Sequence, residues 1–322
     1  IIAVALRWSL RIVLVVAAIS VLAVWLFRDR DEIERVEEAT LKAPASLPGS
    51  STPSIPDLPF VDVTGIAGIG FMHRNGATGD RLLPETMGGG VAFSDLDADG
   101  DPDLLFVNSR SWPWSGGADE SATTRLYLND GEGRFTDASE GSGLDVSLYG
   151  MGVALGDADG DGLPDVFITA VGGNRLYRNL GAGRFRDVSA EAGVSGADDG
   201  WSTSAAFLDY DRDGDLDLFV TNYVQWSREL DFEVDYRLAG IGRAYGPPAN
   251  FPGTQPYLYR NDGGGRFTDV SEETGVTVSH PDTGEAVGKG LAVVVEDVDD
   301  DGWPDILVAN DTVRNFFFRN LG

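Results

Sequence analysis

Four tandem repeats constrain the fold of this 322-residue chain more than any other feature of its sequence. In the first element of each repeat, small residues lead into an apolar segment, an Asp-rich loop and a second apolar segment. These elements cover residues 88–107, 150–169, 202–221 and 288–309. A second element, in which a Leu-Tyr-x-Asn segment, a Gly-containing turn and a Phe-x-Asp segment follow one another, covers residues 125–139, 175–189 and 257–271. A further copy of it begins at Phe317-Phe318-Arg319-Asn320.

Each repeat predicts four short strands, because two apolar segments flank the Asp-rich loop and two more flank the Gly-containing turn. Units of ~50–60 residues with four strands each, repeated along a chain, are typical of β-propeller blades. We therefore predict an all-β fold, a β-propeller of four-stranded blades with about four blades present. A helical solenoid is excluded, since no segment carries apolar residues with a 3.6-residue period over about 12 positions.

The two ends of the repeat region are in different phases. Residues 60–63 (Phe-Val-Asp-Val) and 67–69 (Ala-Gly-Ile) match the fourth-strand element of a later repeat at 185–188 and 192–194. We therefore expect the folded region to begin on a last strand, whereas the sequence ends on a third strand. A propeller that closes its ring by sharing one blade between both ends has this phase.

The N-terminal part divides into a flank (residues 1–10), an apolar segment (11–28) and a linker (29–59). Residues 12–27 carry no charge and lie between Arg11 and Arg28. A helix over these residues would be about 24 Å long, slightly short of the ~30 Å hydrocarbon core, and arginines at both ends can reach the interface. We expect an uncleaved transmembrane signal anchor; a cleaved signal peptide is the alternative.

The rest of the chain consists of a spacer and the repeat region. Residues 43–58 are rich in Pro and Ser, which indicates an extended spacer. Residues 60–322 hold the repeats, with an insertion at 222–256 in the third. The insertion contains the aromatic residues Tyr223, Trp226, Phe232, Tyr236, Tyr245 and Phe251. Two interpretations are open: a lid or contact surface for a ligand, and an excursion with a small core of its own.

Acidic residues outnumber basic ones, 52 against 24, and the formal net charge is −28. This balance argues against a nucleic-acid partner, which requires a basic surface, and favours cations. The carboxylates crowded into the Asp-rich loops would repel one another unless cations neutralise them. The chain has no cysteine, which excludes disulfides, thiolate metal sites and a cysteine nucleophile.

Each Asp-rich loop spans nine residues, with Asp at positions 1, 3, 5 and 9 and Gly at position 6. Calcium prefers six to eight oxygen ligands at about 2.3–2.6 Å, and alternate side chains of a tight loop converge on one point. Gly permits the positive φ that such a loop requires, and the carbonyl at position 7 is expected to face the ion. The predicted ligands are Asp95, Asp97, Asp99, Asp101 and Asp103 in loop 1 (95–103); Asp157, Asp159, Asp161, Leu163 and Asp165 in loop 2 (157–165); Asp209, Asp211, Asp213, Asp215 and Asp217 in loop 3 (209–217); and Asp297, Asp299, Asp301, Trp303 and Asp305 in loop 4 (297–305).

The EF-hand is the obvious alternative, because its loop opens with the same pattern. It needs a Glu at position 12, where this chain has the apolar residues Phe106, Ile168, Val220 and Val308. The EF-hand is therefore excluded in every repeat. Zinc and copper are disfavoured, since neither His nor Cys lies near the loops. We expect about four calcium ions, one per loop.

The loops, with the preceding Gly-x-Gly-Val-Ala stretch and the Leu-Tyr-x-Asn and Phe-x-Asp-Val elements, resemble the FG-GAP/VCBS repeats of the integrin α-subunit type of propeller. The order His73, Gly76 and Met87 to Ala92 before loop 1, with Asn222-Tyr223-Val224 opening the insertion, is similar to the cartilage acidic protein-like family, which carries a C-terminal ASPIC/UnbV domain outside these 322 residues. The resemblance covers residues 60–322. It implies a seven-bladed ring, an extracytoplasmic location and calcium in the blade loops. The third repeat departs from the pattern, with Ser202-Thr203-Ser204 in place of Gly-x-Gly.

Two functions are open. The first is a membrane-anchored, extracytoplasmic binding or adhesion module, with structural calcium and a protein or polysaccharide ligand. It lies on the periplasmic side or at the cell surface. The alternative is a hydrolase or lyase on a propeller scaffold that acts on an extracellular polymer. His73 and His280, the two histidines, belong to no recognisable catalytic constellation, so we predict that the chain is not an enzyme.

Overall fold

Antiparallel sheets, one for each repeat, make up the structure, a computed structural model that describes residues 60–116 and 122–322. The flank, transmembrane segment and linker predicted for residues 1–59 lie outside the described residues. Within the part of the chain that is described, no helix is long and apolar enough to cross a membrane.

The first two repeats each form a four-stranded sheet whose strands follow chain order. Blade 1 consists of β1 (Val91–Ser94), β2 (Asp103–Phe106), β3 (Arg125–Asn129) and β4 (Phe135–Asp137), preceded by a 3-10 helix at Leu83–Thr86. Blade 2 consists of β5 (Tyr149–Gly156), β6 (Asp165–Val171), β7 (Arg175–Asn179) and β8 (Phe185–Asp187), followed by the one-turn helix α1 (Ser189–Ala192). Each Asp-rich loop joins a first strand to a second, as predicted.

The third and fourth repeats follow the same plan with two differences. Blade 3 consists of β9 (Ser202–Leu208), β10 (Asp217–Asn222), the insertion with α2 (Arg228–Val234), β11 (Arg237–Leu238), β12 (Gly242–Arg243) and a 3-10 helix at Pro248–Asn250, and then β13 (Tyr257–Asn261) and β14 (Phe267–Asp269). Blade 4 consists of β15 (Gly290–Glu296), β16 (Asp305–Asn310) and β17 (Phe316–Phe318). The prediction of an all-β fold with propeller-like blades is confirmed.

The prediction that the repeat region begins on the last strand of a blade is confirmed only in part. The Phe135 N–H donates to the Ala67 carbonyl (2.7 Å), as the Phe185 N–H donates to the Ser142 carbonyl (2.6 Å) in the next blade. The turn around Ala67 thus lies beside β4 as the turn after β4 lies beside β8. Residues 61–63, however, do not form the expected last strand. A strand needs a hydrogen-bonding neighbour, and no described third strand pairs with this segment.

The second strands of blades 2 and 3, β6 and β10, are buried on both faces, which explains their continuous apolar sequences. Side chains alternate between faces along a strand, and each face packs against a neighbouring blade. Leu105 and Leu126 of blade 1 share a core with Val166 and Ile168 of blade 2. The equivalent residues form the next two cores, Phe167 and Leu176 with Leu218 and Val220, and Phe219 and Leu258 with Ile306 and Val308.

The first strands of successive blades lie side by side, and the small residues of the repeats occupy their closest approach. A Cβ on Gly90 would lie 2.9 Å from the Gly152 Cα, and a Cβ on Gly152 would lie 2.3 Å from the Thr203 carbonyl oxygen. The third repeat lacks the Gly-x-Gly pattern of the others, and there the Thr203 hydroxyl donates to the Gly290 carbonyl of blade 4 (2.7 Å). Ser202-Thr203-Ser204 therefore preserves β9 and adds a hydrogen bond between blades.

The insertion, which we call the strap, packs across the end of the blades opposite to the Asp-rich loops. Its Trp226 ring lies 5.1 Å from Trp112, which follows β2, and 6.2 Å from Trp201 at the start of β9 (centroid distances). The buried cluster there is Trp112, Tyr149, Trp201, Tyr223, Trp226 and Phe251, with Leu82 and Leu83. Of the two interpretations, a separate small core is wrong, because the aromatic side chains of the strap join those of blades 1 to 3.

Two buried carboxylates hold the strap in place. Asp231 of α2 accepts hydrogen bonds from the Leu83 N–H (2.8 Å), the Trp226 indole (2.7 Å) and the Arg243 guanidinium (2.6 Å). Glu85 accepts from the Trp112 indole (3.1 Å) and from the Tyr245 hydroxyl of the strap (3.3 Å). Buried charge is tolerated only with such partners, so these contacts fix the strap to the segment before blade 1.

We predict that Gly152→Ala destabilises the protein by about 1–3 kcal/mol, because its Cβ would overlap the backbone of blade 3. Gly88→Ala is the matched control, since a Cβ there meets no atom within 4 Å, and its effect is expected to stay within about 0.5 kcal/mol. Urea unfolding of both variants measures the difference. Equal effects at the two positions would contradict the close approach of the first strands.

Candidate metal centres in the Asp-rich loops

The four Asp-rich loops each bring three carboxylates together. One oxygen from each of three Asp side chains lies within 4.8 Å of the other two in every loop. The clusters are Asp95, Asp97 and Asp99; Asp157, Asp159 and Asp165; Asp209, Asp211 and Asp217; and Asp297, Asp299 and Asp301. Positions 1 and 3 take part in all four, joined by position 5 in loops 1 and 4 and by position 9 in loops 2 and 3. The structure thus gathers twelve of the twenty residues that the sequence predicted as ligands.

Position 1 organises the loop from within. In loop 1, the two carboxylate oxygens of Asp95 accept the backbone N–H groups of Asp99 (3.1 Å) and Gly100 (3.0 Å). The same pair of bonds recurs from Asp157, Asp209 and Asp297. Each carboxylate oxygen has lone pairs left after accepting one N–H, so these bonds orient the side chain without using up its capacity to bind a cation.

The backbone turns twice through the left-handed region in each loop. Position 6 has φ between +87° and +99° and is always Gly, as the sequence predicted. Position 4 also has positive φ, and there Ala98, Arg212 and Asp300 stand where loop 2 has Gly160. This second turn was not predicted from the sequence, because non-Gly residues rarely adopt such a φ.

Position 7 was predicted to supply a main-chain carbonyl. In all four loops its N–H donates to the carboxylate at position 5, at 2.9–3.0 Å. The side chains of Asp101 and Asp215 lie beside Gly131 and Gly263 in the Gly-containing turn of the same blade. Binding of an ion by the position 7 carbonyls remains a prediction. These carbonyls belong to Asp101, Leu163, Asp215 and Trp303.

Position 9 ties the loop to the sheet. Asp103, Asp165, Asp217 and Asp305 are at most 2% exposed. In loop 1, one carboxylate oxygen of Asp103 accepts the N–H of Leu96 at position 2 (2.8 Å), and the other accepts the N–H of Asn129 at the end of β3 (2.9 Å). The other three loops repeat both bonds. This Asp is therefore a structural residue first, and in loops 2 and 3 it also reaches the carboxylate cluster.

In blades 2 to 4, the Asn that closes the Leu-Tyr-x-Asn segment or its Phe-Phe equivalent links its blade to the loop of the blade before it. The Asn179 amide donates to the Leu96 carbonyl in loop 1 (3.0 Å), Asn261 to Ala158 in loop 2 (2.8 Å) and Asn320 to Tyr210 in loop 3 (2.7 Å). Sequence reasoning assigned this Asn no role. Its recurrence in every Leu-Tyr-x-Asn segment, or its Phe-Phe equivalent, was the signal that could have revealed it.

The carboxylates of the loops are held in unfavourable surroundings for negative charge. Burial raises the pKa of Asp165 to about 6 and that of Asp217 to about 7, and neighbouring carboxylates of the same loop add to this effect. The pKa of Asp97 is also raised, first by burial and then by the charges of Asp103, Asp99 and Asp95. A cation in the loop would reverse this preference and keep the carboxylates ionised.

The histidines lie away from the loops. His73 packs beside Gly89 near the start of blade 1, where burial lowers the pKa of its imidazole. His280 lies in the exposed turn of the β14–β15 connection, and its Nδ1 accepts the Asp282 N–H (3.2 Å). Neither histidine joins a carboxylate cluster.

Comparison with known proteins agrees with this architecture. The family of FG-GAP-like repeats matches residues 95–168 and 159–220, from the first residue of loop 1 to Val220 within β10. Residues 95–220 therefore carry FG-GAP-like repeats, and the four-stranded antiparallel sheets of the chain fit a β-propeller-like fold. No curated protein gives a significant match to it.

Among solved structures, the chain is similar to one that describes specific recognition of non-reducing terminal N-acetylglucosamine by an Agrocybe aegerita lectin. The two share 14% identity with a TM-score of 0.36, over 74% of this chain and 50% of the lectin chain. This chain thus spans half the length of the lectin. A similarity at this level defines neither the fold nor a ligand of this chain.

We predict that the metal-free protein loses stability as pH rises through the range from about 4 to about 7. Asp165 and Asp217 have folded pKa values of about 6 and 7, above the 3.8 of a free Asp. The folded state therefore holds these protons over a pH range in which the unfolded state has released them, and its advantage disappears above the folded pKa. Thermal unfolding in a chelator, at pH steps across this range, measures the effect.

The Asp217→Asn variant isolates this contribution from the rest of the acidic surface. Its stability relative to the unmodified protein should change across the same pH range, because only the unmodified protein loses a proton at this position. A difference between the two proteins that is constant from pH 4 to pH 8 would contradict the raised pKa of Asp217.

Proposed function

We propose that the protein is a calcium-binding β-propeller that serves as a binding or adhesion module, with calcium as a structural ion in the blade loops. The observation that carries this proposal is the geometry of the four loops, each of which gathers three carboxylates around one point. A single acidic turn has many explanations. Four turns with the same internal hydrogen bonds, at the same place in successive blades, favour a common ligand.

The donor set fits calcium. The carboxylate oxygens of each cluster lie within 4.8 Å of one another, and two oxygens on opposite sides of a calcium ion are about 5 Å apart. All donors at hand are oxygens, which hard cations prefer. When bound, the ion would neutralise the crowded carboxylates. Asp95, Asp97 and Asp99 would hold it in loop 1, and the equivalent residues would hold it in the other loops.

The same loops position neighbouring blades, so calcium would stabilise more than one hairpin. The carbonyl at position 2 of a loop accepts the Asn side chain of the next blade. A loop held rigid by an ion keeps this carbonyl in place. An ion that binds only the folded state adds about 1.4 kcal/mol per site at ten times its Kd.

The strap is the surface we propose for recognition of a protein or polysaccharide ligand. It lies at the end of the blades opposite to the loops and exposes parts of aromatic side chains, with Phe232 38% and Tyr245 39% exposed. Arg228 and Arg243 stack on the Phe232 ring, at 4.9 Å and 4.4 Å from its centroid. Partly exposed aromatic rings on a fixed scaffold suit both sugars and protein surfaces.

The wider setting follows from the resemblance of the sequence to cartilage acidic protein-like proteins. We propose a seven-bladed ring of which these four blades are part, an ASPIC/UnbV domain as its companion, and an extracytoplasmic location with a membrane anchor in residues 11–28. Extracellular calcium sites commonly have Kd values of ~10⁻⁴–10⁻³ M, so calcium outside the cytoplasm would fill the loops.

Calorimetric titration of the chelator-treated protein with calcium tests the function. We expect about four ions per chain and a rise in unfolding temperature. Asp211→Asn should remove or weaken the site in loop 3, because position 3 belongs to every cluster. Asp198→Asn, at an exposed position outside the loops, is the control and should bind as the unmodified protein does. Unchanged unfolding temperatures with calcium and with chelator would refute the proposal.

A further inference from the structure

The four loops differ at one neighbouring position, the residue before the recurring Asn of the third strand. This residue is Leu128 in blade 1, Arg178 in blade 2, Arg260 in blade 3 and Arg319 in blade 4. It lies beside position 3 of the loop in its own blade. The geometry of blades 1 and 2 shows the equivalence, because Gly183 lies against Leu128 and Asp97, as Gly265 lies against Arg178 and Asp159.

Arg178 is fixed on loop 2. Its Nε lies 2.6 Å from an Asp159 carboxylate oxygen, and the Asp159 side chain is 9% exposed. Its guanidinium also donates to the Gly264 carbonyl of blade 3 (3.2 Å). In loop 4, Arg319 forms ion pairs with Asp299 and Asp301 (3.4 Å to the latter). Both loops therefore have a cation of the protein itself on residues of the carboxylate cluster.

Loops 1 and 3 have no such contact in the described structure. Leu128 is apolar. Arg260 has the right residue type, but it pairs with Asp262 (2.9 Å), in the turn after its own strand, and with Glu273 (3.9 Å). In the described structure, the Asp211 carboxylate of loop 3 therefore forms no ion pair with Arg260, and the Asp97 carboxylate of loop 1 has only the apolar Leu128 at the equivalent place.

We propose that the residue before the recurring Asn sets the cation affinity of each loop, so that loops 1 and 3 are tight sites and loops 2 and 4 are weak sites. This inference rests on the proposed calcium function. A guanidinium on position 3 repels an incoming dication and competes for the same carboxylate oxygens. When an arginine must move away before the ion binds, the apparent affinity is the intrinsic affinity multiplied by the fraction of time in which the site is free of the arginine.

The division also assigns different roles to the loops. Asp159 of loop 2 and Asp299 and Asp301 of loop 4 have an arginine partner without metal, so these blades depend less on calcium for their stability. In loops 1 and 3, the residue before the recurring Asn gives the carboxylate at position 3 no such partner. Calcium at concentrations that fill only the tight sites would then order alternate blades, and the remaining sites would fill only at higher concentration.

A reciprocal exchange between blades 1 and 2 tests the proposal in the full 322-residue chain, with calcium alone as the probe. Arg178→Leu copies blade 1 and should tighten one weak site about five- to tenfold, the amount expected when an ion pair of about 1 kcal/mol no longer competes. Leu128→Arg copies blade 2 and should weaken one tight site by a similar factor. Arg260→Leu is the control, since Arg260 does not contact its loop, and should leave all affinities unchanged.

Terbium luminescence gives a reading of loop 4 that is independent of the calorimetry. Trp303 is at position 7 of this loop, whereas Trp112, Trp114, Trp201 and Trp226 lie at the strap end of the blades. Among the described residues, terbium emission excited through tryptophan therefore reports loop 4 and the adjacent loop 3, since the Arg212 guanidinium of loop 3 lies 5.1 Å from the Trp303 ring centroid. A change caused by Arg319→Leu is assigned to loop 4, because Arg319 pairs with carboxylates of that loop. Arg319→Leu should lower the terbium concentration for half-maximal emission about five- to tenfold.

The outcomes separate this inference from the proposed function. If calcium binds and neither the exchange variants nor Arg319→Leu change any affinity, the arginines do not set it and the inference is wrong, while the calcium function stands. If the unmodified protein and every variant bind no calcium, both are wrong. Unfolding curves in chelator show whether each variant is folded, and Leu128→Arg, which removes no ion pair, keeps the test decisive if Arg178→Leu fails to fold.

Discussion

The rest of the structure depends on a buried carboxylate at the last position of each Asp-rich loop. Asp103 and its three equivalents accept one backbone N–H from their own loop and another from the third strand of the blade. A buried ionised group without such partners would cost several kcal/mol. The need to satisfy it fixes the loop, the start of the second strand and the end of the third strand in one arrangement, which then recurs in each blade.

That arrangement extends from blade to blade through a short set of contacts. The Asn whose N–H the buried Asp accepts also donates, through its side-chain amide, to the loop of the preceding blade, as Asn179 does to the Leu96 carbonyl. At the other side of the sheet, glycines such as Gly152 let first strands touch backbone to backbone, and alternate faces of the second strands form the cores. The proposed cation sites and the blade packing thus share the same loop, because position 2 lies between the two Asp residues of the carboxylate cluster at positions 1 and 3.

The two ends of the blades carry opposite chemistry. One end concentrates carboxylates that repel one another, and burial, with this repulsion added to it, raises the pKa values of Asp165 and Asp217. The other end is closed by aromatic rings and by two carboxylates, Glu85 and Asp231, whose hydrogen bonds are satisfied within the protein. The proposed ion sites lie at the first end, and the proposed recognition surface lies at the second.

Local sequence patterns were enough to predict the four blades, the position of each loop between first and second strands, and the carboxylates at positions 1 and 3, because strand alternation and ligand spacing act over a few residues. Contacts between residues that are distant in sequence became visible only in the folded chain. The tertiary structure brought Asn179 to Leu96 and Asp231 to Leu83, and it paired Arg178 with its loop while Arg260 turned away. It also left residues 61–63 without a strand. These outcomes depend on which neighbour satisfies a buried or charged group, and local patterns carry no information about neighbours that are distant in sequence.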